Sequence, residues 1–209
     1  SSITLTEISG TAGAWSSSAG STASVSAAGL VTGMSVGTSG ITYTASLGGC
    51  YAIASVTVNP IPSAISGIMS VCQHAATTLT DADAGGVWSS GATGLATAGS
   101  TGIVTGLAAG TPIISYTFPA TSCYTTATVT VIAAPAATIT AGGPTAFCPG
   151  GNVTLSAPSG LTYQWYSGGT AIAGATNSSY TASATSAITV RTTNASGCTT
   201  LSSVTSVFA

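Results

Sequence analysis

The feature that most constrains this chain is an internal repeat, because the segment around its first tryptophan recurs 73 positions further along. Trp15-Ser16-Ser17 recurs as Trp88-Ser89-Ser90, and Gly29-Leu30-Val31-Thr32-Gly33 recurs as Gly102-Ile103-Val104-Thr105-Gly106. The two copies stay in register without a gap. Self-similarity at a fixed period is typical of a tandem array in which each repeat is one structural unit.

A third repeat follows with looser spacing. It opens at Phe147-Cys148-Pro149-Gly150-Gly151 and has Gly197-Cys198 near its end. Proline occurs at both junctions, in Asn59-Pro60-Ile61-Pro62 and in Ala133-Ala134-Pro135-Ala136, and proline stiffens a short connector. The predicted domains are residues 1–59 (repeat one, truncated at its N-terminus), residues 60–133 (repeat two) and residues 134–209 (repeat three, of a divergent type).

Each repeat is predicted to consist of β-strands. Residues 126–131 and 185–193 alternate polar and apolar side chains with the period of two that a half-buried strand requires. Gly, Ser and Asn clusters interrupt the chain roughly every 8 to 12 residues, as in a β-sandwich. The predicted fold class is therefore all-β, with tandem immunoglobulin-like β-sandwich domains, and the short stiff connectors favour a rod.

Composition excludes several classes of function. Charged residues make up 2% of the chain, whereas an ordinary soluble domain has about 25%. Nucleic-acid binding needs several Lys or Arg side chains against phosphates, and this chain has only Arg191. A hydrophobic fraction of 44% argues against intrinsic disorder. No apolar stretch approaches the ~20 residues of a membrane span, so none is expected in this segment.

The five cysteines predict disulfides. Cys72 and Cys123 lie 51 positions apart, and Cys148 and Cys198 lie 50 apart, which favours one bridge inside repeat two and one inside repeat three. Cys50 would then pair with a cysteine upstream of residue 1. Reduced thiols or metal ligands are the alternative, but zinc usually needs CxxC pairs or several histidines, so no metal or cofactor is expected. Disulfides persist in oxidising compartments, which predicts an extracellular, cell-surface location.

Repeats one and two resemble the bacterial Ig-like domain family, group 2, which occurs in invasin- and intimin-type surface proteins. The resemblance rests on the Trp-Ser-Ser and Gly-[Leu/Ile]-Val-Thr-Gly motifs quoted above, together with Gly37-Thr38 and Ile41, and it covers most of residues 1–132. The cysteine pair departs from the common pattern of that family.

Repeat three resembles the Ig-like repeats of very large surface proteins of Bacteroidota. The similar stretches are residues 147–155, Tyr163-Gln164-Trp165-Tyr166, residues 171–176 and Asn194-Ala195-Ser196-Gly197-Cys198. This resemblance implies export by the type IX secretion system and a role as a gliding-motility adhesin or another cell-surface filament. It implies no catalytic residues.

The tryptophans and the few ionisable residues are further candidate sites. Trp15, Trp88 and Trp165 are predicted to be core residues, as strand tryptophans are in immunoglobulin folds, with sugar-stacking platforms as the alternative. An Asp-x-Asp pair, Asp81 and Asp83, could bind Ca²⁺, but calcium needs six to eight oxygens and a turn is favoured. His74 is expected in a solvated loop and Arg191 on the water-facing side of a strand.

No catalytic residue is predicted, because serine and threonine hydroxyls are inert without an activating base. Three asparagines match the N-glycosylation sequon and are candidate glycosylation sites: Asn152, Asn177 and Asn194.

The sequence predicts a structural stalk or filament segment of a large secreted surface adhesin, and not an enzyme. Its expected partners are the neighbouring repeats of the same chain. Alternatives are a module that binds glycans or cells, and an accessory region of a secreted polysaccharide-degrading enzyme. Self-association into fibres is a further expectation, because the sheets lack the lysines that protect edge strands.

Overall fold

The computed structural model describes residues 1–8 and 10–209. All regular structure in these residues is β-structure. The described part of the chain has no helix with the length and hydrophobicity of a membrane span. Two compact units are distinguished: the first holds Ser1–Ser63 and Thr117–Thr125, and the second holds Ala64–Tyr116 and Thr126–Ala209.

The strands are short and follow one another closely along the chain. Repeat one contains β1 (Ser2–Thr4), β2 (Gly13–Ser17), β3 (Ala23–Val25), β4 (Leu30–Gly33), β5 (Gly37–Ala45) and β6 (Tyr51–Val58). Repeat two contains β7 (Ser66–Gly67), β8 (Ser70–Cys72), β9 (Ala76–Thr80), β10 (Val87–Ser90), β11 (Ala96–Ala98), β12 (Ile103–Gly106), β13 (Ile113–Thr117), β14 (Tyr124–Thr128) and β15 (Thr130–Ile132). Repeat three contains β16 (Thr140–Ala141), β17 (Val153–Ser156), β18 (Thr162–Ser167), β19 (Thr170–Ala171), β20 (Ser179–Ala182), β21 (Ser186–Thr193), β22 (Thr199–Leu201) and β23 (Thr205–Val207).

Repeat one consists of two three-stranded antiparallel sheets, in the orders β1-β4-β3 and β2-β5-β6. Its buried core is small and comprises Ala23, Val31 and Ile41. Trp15 and Val58 are among the half-buried side chains that pack against this core. Strand β6 lies at the edge of its sheet, so one side of β6 has no strand partner among the described residues.

Repeat two has two sheets arranged as in repeat one, the first with one strand more, and an additional strand pair. The sheets have the orders β11-β12-β9-β7 and β10-β13-β14, and β8 pairs with β15. The β8–β15 pair is parallel, with Val71 opposite Val131. The core consists of seven buried residues: Val71, Leu79, Ala96, Val104, Ile114, Val129 and Val131.

Repeat three has its own core around a fully buried tryptophan. One sheet has the order β16-β17-β20, and the other has the order β19-β18-β21-β22, with β23 also paired with β21. The core residues are Val153, Leu155, Trp165, Ala182, Ile188, Val190 and Val207. The cores of repeats two and three are thus separate clusters, and each repeat buries its own apolar face. The described residues confirm the predicted all-β class and its tandem β-sandwiches.

The Gly-[Leu/Ile]-Val-Thr-Gly motif folds as a tight hairpin in both of its copies. Gly102 N–H donates to the Gly99 carbonyl at 3.0 Å, and Gly102 has a φ of +79°. Gly29 has a φ of +77° in the equivalent turn. This left-handed conformation is readily adopted by glycine and strained for other residues. Two residues after the turn glycine, Val31 in repeat one and Val104 in repeat two lie in the cores of their repeats.

We expect Gly102→Ala to lower the free energy of unfolding by about 2–4 kcal/mol, because the left-handed conformation is strained for alanine. The new Cβ would also collide with the Leu79 carbonyl oxygen and lie 3.2 Å from the Trp88 ring. Gly99→Ala in the same turn is the matched control, since its Cβ would meet only the Ile103 carbonyl oxygen at 3.5 Å. Chemical denaturation of both variants tests this, and equal losses would contradict the explanation.

Candidate functional site at the junction of repeats two and three

The parallel pairing of β8 with β15 places Cys72 at the downstream end of repeat two. Cys72 lies opposite Ile132, the last residue of β15. Next to it, Gln73 N–H donates to the Ile132 carbonyl at 2.8 Å. After Ile132 the chain enters the connector between repeats two and three, residues 133–136. Although Cys72 lies early in the sequence of repeat two, it is therefore next to the point where repeat three begins.

The β21–β22 hairpin of repeat three is hydrogen-bonded to this connector. The Asn194 side-chain amide donates to the Ala133 carbonyl at 3.1 Å, and the Thr192 hydroxyl donates to the Ala136 carbonyl at 3.0 Å. The Asn194 side-chain oxygen accepts from the backbone N–H groups of Ser196 and Cys198 at 3.1 and 3.0 Å. The asparagine thus shapes the hairpin turn and attaches it to the connector at the same time.

A disulfide between Cys72 and Cys198 completes the junction. The Cα atoms lie 5.6 Å apart and the two cysteines are separated by 126 positions. Cys198 is 1% exposed. The Gln73 side chain adds polar contacts on the side of repeat two, since its amide donates to the Leu107 carbonyl at 3.0 Å and its oxygen accepts from Ala134 N–H at 3.4 Å. Repeats two and three are therefore joined covalently in addition to their shared backbone.

The predicted bridge between Cys72 and Cys123 is wrong in this structure, because these cysteines lie at opposite ends of repeat two. Cys123 immediately precedes β14, whereas Cys72 lies beside Ile132 at the end of β15. At ~3.3 Å per residue, these consecutive strands span roughly 30 Å. A disulfide needs Cα atoms within about 7 Å.

The predicted bridge between Cys148 and Cys198 is wrong for the same reason. Phe147 N–H donates to the Phe208 carbonyl at 3.0 Å, so Cys148 lies just beyond β23, which pairs with the start of β21. Cys198 follows the far end of β21, a strand of eight residues that is roughly 25 Å long at ~3.3 Å per residue. Cys50, Cys123 and Cys148 form no disulfide within the described residues.

The three predicted core tryptophans differ in burial. Trp165 is fully buried, and its indole N–H donates to the Asn177 carbonyl at 2.9 Å. Trp15 and Trp88 are half-buried and pack against their cores. Their rings lie 4.8 and 4.7 Å from the rings of Tyr43 and Tyr116, which are tilted against them.

A Gly-x-Trp motif explains these tyrosine positions. The Tyr116 ring covers Gly86, where a Cβ would collide with it, and Tyr43 covers Gly13 in the same way. In repeat two the Tyr116 hydroxyl donates to the Asp83 carbonyl and accepts from Gly86 N–H, both at 2.8 Å. Tyr116 therefore anchors the loop that contains Asp83 and Gly86, which lies just before Trp88 in the sequence.

Repeat one has an open cleft beside its Trp-Tyr pair. The cleft has a volume of about 470 Å³, and its lining includes Leu5, Glu7, Trp15, Tyr43, Cys50 and Tyr51. Tyr51 is 69% exposed. The lining is mostly apolar and aromatic, with one carboxylate.

The other predicted residues have structural contacts. The Asp81 carboxylate accepts from Asp83 N–H at 2.9 Å, which forms a turn. His74 is exposed, with a φ of +66°, and Arg191 is exposed, with its guanidinium 5.4 Å from the centre of the Tyr166 ring. Within residues 1–8 and 10–209, no three His, Cys, Asp or Glu residues come together as a metal site.

The candidate glycosylation sites also differ. Asn152 and Asn177 are exposed, whereas Asn194 is half-buried and its side chain is engaged at the junction. The sequence identifies Asn194 as a sequon and as the start of the 194–198 motif of repeat three, and it predicts no role for Gln73. The Asn-x-x-Gly order of residues 194–197 before Cys198 is a turn signal that could have identified the hairpin. No sequence signal identified the parallel pairing on which the junction depends.

Comparison with known families gives one partial match. Residues 2–50 match the bacterial Ig-like domain (group 2) family, which confirms the resemblance for repeat one. No curated protein matches the chain significantly.

Several solved structures are similar at low sequence identity. Domains 4 and 5 of the S-layer protein SbsC are 23% identical with a TM-score of 0.25, over 60% of this chain and 73% of that chain. Extracellular domains 3–5 of Drosophila OTK are 10% identical with a TM-score of 0.32, over 90% and 77%. Drosophila N-cadherin EC1-4 is 11% identical with a TM-score of 0.25, over 99% and 69%. The chain spans 29% of the longer SbsC fragment that contains domains 1–6.

We expect the double variant Cys72→Ser/Cys198→Ser to lower the free energy of unfolding of repeats two and three. In the chain-entropy model, a bridge across 126 positions contributes about 5 kcal/mol. Urea denaturation followed by tryptophan fluorescence, to which Trp88 of repeat two and Trp165 of repeat three both contribute, measures the loss. Cys148→Ser is the control and should unfold like the unmodified chain. A reductant should destabilise the unmodified chain to the level of the double variant, and an unchanged midpoint in the double variant would contradict the assignment.

Proposed function

We propose that this segment is a tension-bearing structural part of a large secreted cell-surface adhesin and has no catalytic activity of its own. The observation that carries the proposal is the Cys72–Cys198 bond, because it joins successive repeats in addition to the backbone. Such a link stabilises the junction of two repeats, which suits a segment that must stay folded under load. The family match of residues 2–50 and the scarcity of charge support the same role.

The proposal includes the boundaries and the location of the segment. The repeats are residues 1–59, 60–133 and 134–209, and the proline-containing junctions separate them. An extracellular location is supported by the disulfide, which persists in oxidising compartments. The motifs of repeat three support a parent of the giant Bacteroidota type that is exported by type IX secretion.

The bond determines how the segment would carry tension. A force applied to the two ends of the chain reaches Cys72, crosses the disulfide to Cys198 and bypasses the residues between them. Non-covalent cores resist such a force only until the strands separate. The bypassed residues include most of the cores of repeats two and three, so the bond keeps this part of the chain from being extended under load.

Single-molecule stretching between Ser1 and Ala209 tests this bypass. The 126 positions between the two cysteines cannot extend in the oxidised chain, and at up to ~3.6 Å per residue this shortens the total extension by roughly 450 Å. The reduced chain and Cys72→Ser/Cys198→Ser should both reach the longer extension. Equal extension of the oxidised and reduced chains would show that the bond transmits no force.

Attachment of cells under flow distinguishes a stalk from a binding module. In the parent protein on its native cells, Cys72→Ser/Cys198→Ser should lower attachment at high shear but not at rest. Tyr51→Ala, in the cleft of repeat one, should leave attachment unchanged at both. If Tyr51→Ala lowers attachment and Cys72→Ser/Cys198→Ser does not, the stalk function is wrong and binding by the cleft is favoured.

The open cleft of repeat one favours glycan binding as a second candidate function. Its volume of about 470 Å³ and its Trp15, Tyr43 and Tyr51 rings suit a sugar ring that stacks on aromatic faces. A glycan array probed with the chain tests this function, with Tyr51→Ala as the variant. Binding that the variant loses would support it, and an array without signal would reject it.

A further inference from the structure

We infer that the Cys72–Cys198 bond is one rung of a disulfide ladder, in which the opening cysteine of each repeat is bonded to the hairpin cysteine of the next repeat. The opening cysteines are Cys72 and Cys148, and the hairpin cysteines are Cys50, Cys123 and Cys198. The inference concerns the covalent pattern alone, so it holds whether or not the parent protein is an adhesin.

The three hairpin cysteines occupy equivalent positions. Each lies where a long hairpin closes, and its carbonyl accepts a hydrogen bond from the residue that begins the turn. The bonds are Ala45 N–H to Cys50 at 2.9 Å, Phe118 N–H to Cys123 at 2.8 Å and Asn194 N–H to Cys198 at 3.0 Å. The partner of one hairpin cysteine therefore indicates the partner expected for the others.

The two opening cysteines are equivalent as well. The Cys72 carbonyl accepts from Ala75 N–H at 3.0 Å, and the Cys148 carbonyl accepts from Gly151 N–H at 2.9 Å. Each follows a segment that runs parallel to the end of its own repeat: Cys72 lies opposite Ile132, and Ala146 forms a parallel bridge with Phe208. Cys148 is thus positioned at the downstream end of repeat three as Cys72 is in repeat two.

This geometry explains why three cysteines have no partner within the described residues. Opening and hairpin cysteines lie at opposite ends of a repeat, so only adjacent repeats can bring them together. Cys50 and Cys148 are exposed, which leaves their thiols accessible. Thr117–Thr125, the segment that carries Cys123, belongs to the same compact unit as residues 1–63. Cys123 is therefore grouped with repeat one, as Cys198 is bonded to repeat two.

Repeat one also has a free edge where an opening strand would pair. In repeat two, β15 is covered by β8 in parallel, with Val131 opposite Val71. In repeat one, the equivalent Val58 lies in β6, an edge strand. A strand with the sequence character of Ser70–Cys72 would pair there and carry its cysteine to the end of repeat one.

The ladder assigns a partner of defined chemistry to each thiol. Cys148 bonds to the hairpin cysteine of another repeat, Cys123 bonds to the opening cysteine of a strand paired with β6, and Cys50 bonds to the opening cysteine of a further repeat. Those repeats belong either to the same polypeptide or to a second copy. Each bond forms when two thiols release two protons and two electrons to a disulfide-bonded oxidant, which becomes a dithiol.

A strand graft tests the ladder on this chain. A copy of residues 60–74 placed directly before Ser1 supplies an opening strand, because Leu5 and Leu79 make the same hydrogen bond to Gly29 and Gly102 and thereby set the register. After oxidation with glutathione disulfide, peptide mapping should show the grafted cysteine linked to Cys123, and Cys123 should no longer react with iodoacetamide. The matched control carries serine at the grafted cysteine and should keep Cys123 reactive.

The Cys72–Cys198 peptide serves as the folding control in both grafted chains. If it is present and Cys123 stays reactive in the cysteine graft, the ladder is wrong. A link from the grafted cysteine to Cys50 would also overturn it, because Cys50 is assigned to a different repeat.

Peptide mapping of the protein from its native envelope, alkylated before digestion, tests the whole pattern. The ladder predicts that Cys50, Cys123 and Cys148 are all linked to cysteines outside residues 1–209 or to those of a second copy. Electrophoresis without reductant separates these sources, since a second copy doubles the mass. Alkylated thiols at these positions, or any bond within a single repeat, would refute the ladder.

Discussion

The parallel pairing of an opening strand with the closing strand of its own repeat is the constraint on which the rest of this structure depends. In an antiparallel pair, the end of the first strand would return to the start of the repeat. Because β8 runs in the same direction as β15, Cys72 is carried to the far end, next to the connector. The Asn194 hairpin is hydrogen-bonded to the same connector, so Cys198 meets Cys72 there. One strand direction thus determines which cysteines can bond.

Side-chain hydroxyls link the strands of a chain that has only four Lys, Arg, Asp and Glu residues in total. The hydroxyls of Ser17 and Ser39 hydrogen-bond at 2.8 Å, those of Ser66 and Thr80 at 2.9 Å, and those of Ser167 and Ser186 across β18 and β21. Such pairs contribute a few tenths to about 1 kcal/mol each. They need no counter-charge, and salt does not screen them as it screens ion pairs.

The strands could be predicted from the sequence because their cause is local. The alternation in residues 185–193 reflects which face of the sheet each side chain occupies. Gly29 and Gly102 reflect a backbone conformation that glycine adopts easily. Both depend on residues that are adjacent in the sequence. Trp165 is predicted as a core residue by analogy with the strand tryptophans of immunoglobulin folds, and it is fully buried. The cysteine pairing depends instead on the direction of a three-residue strand relative to a strand about 60 positions later. Cysteine spacing alone does not encode that direction, and the junction contacts of Gln73 and Asn194 depend on it too.

The distance along the chain that the Cys72–Cys198 bond spans has a consequence for proteolysis. Exposed loops are the usual sites of nicking, and several lie between these cysteines, such as the one at Gly142 and Gly143. A protease that cuts there opens the backbone but leaves both fragments attached through sulfur. Everything downstream of Cys198 would stay connected to everything upstream of Cys72. Between these two cysteines, the chain therefore has a second covalent path that survives a single cut.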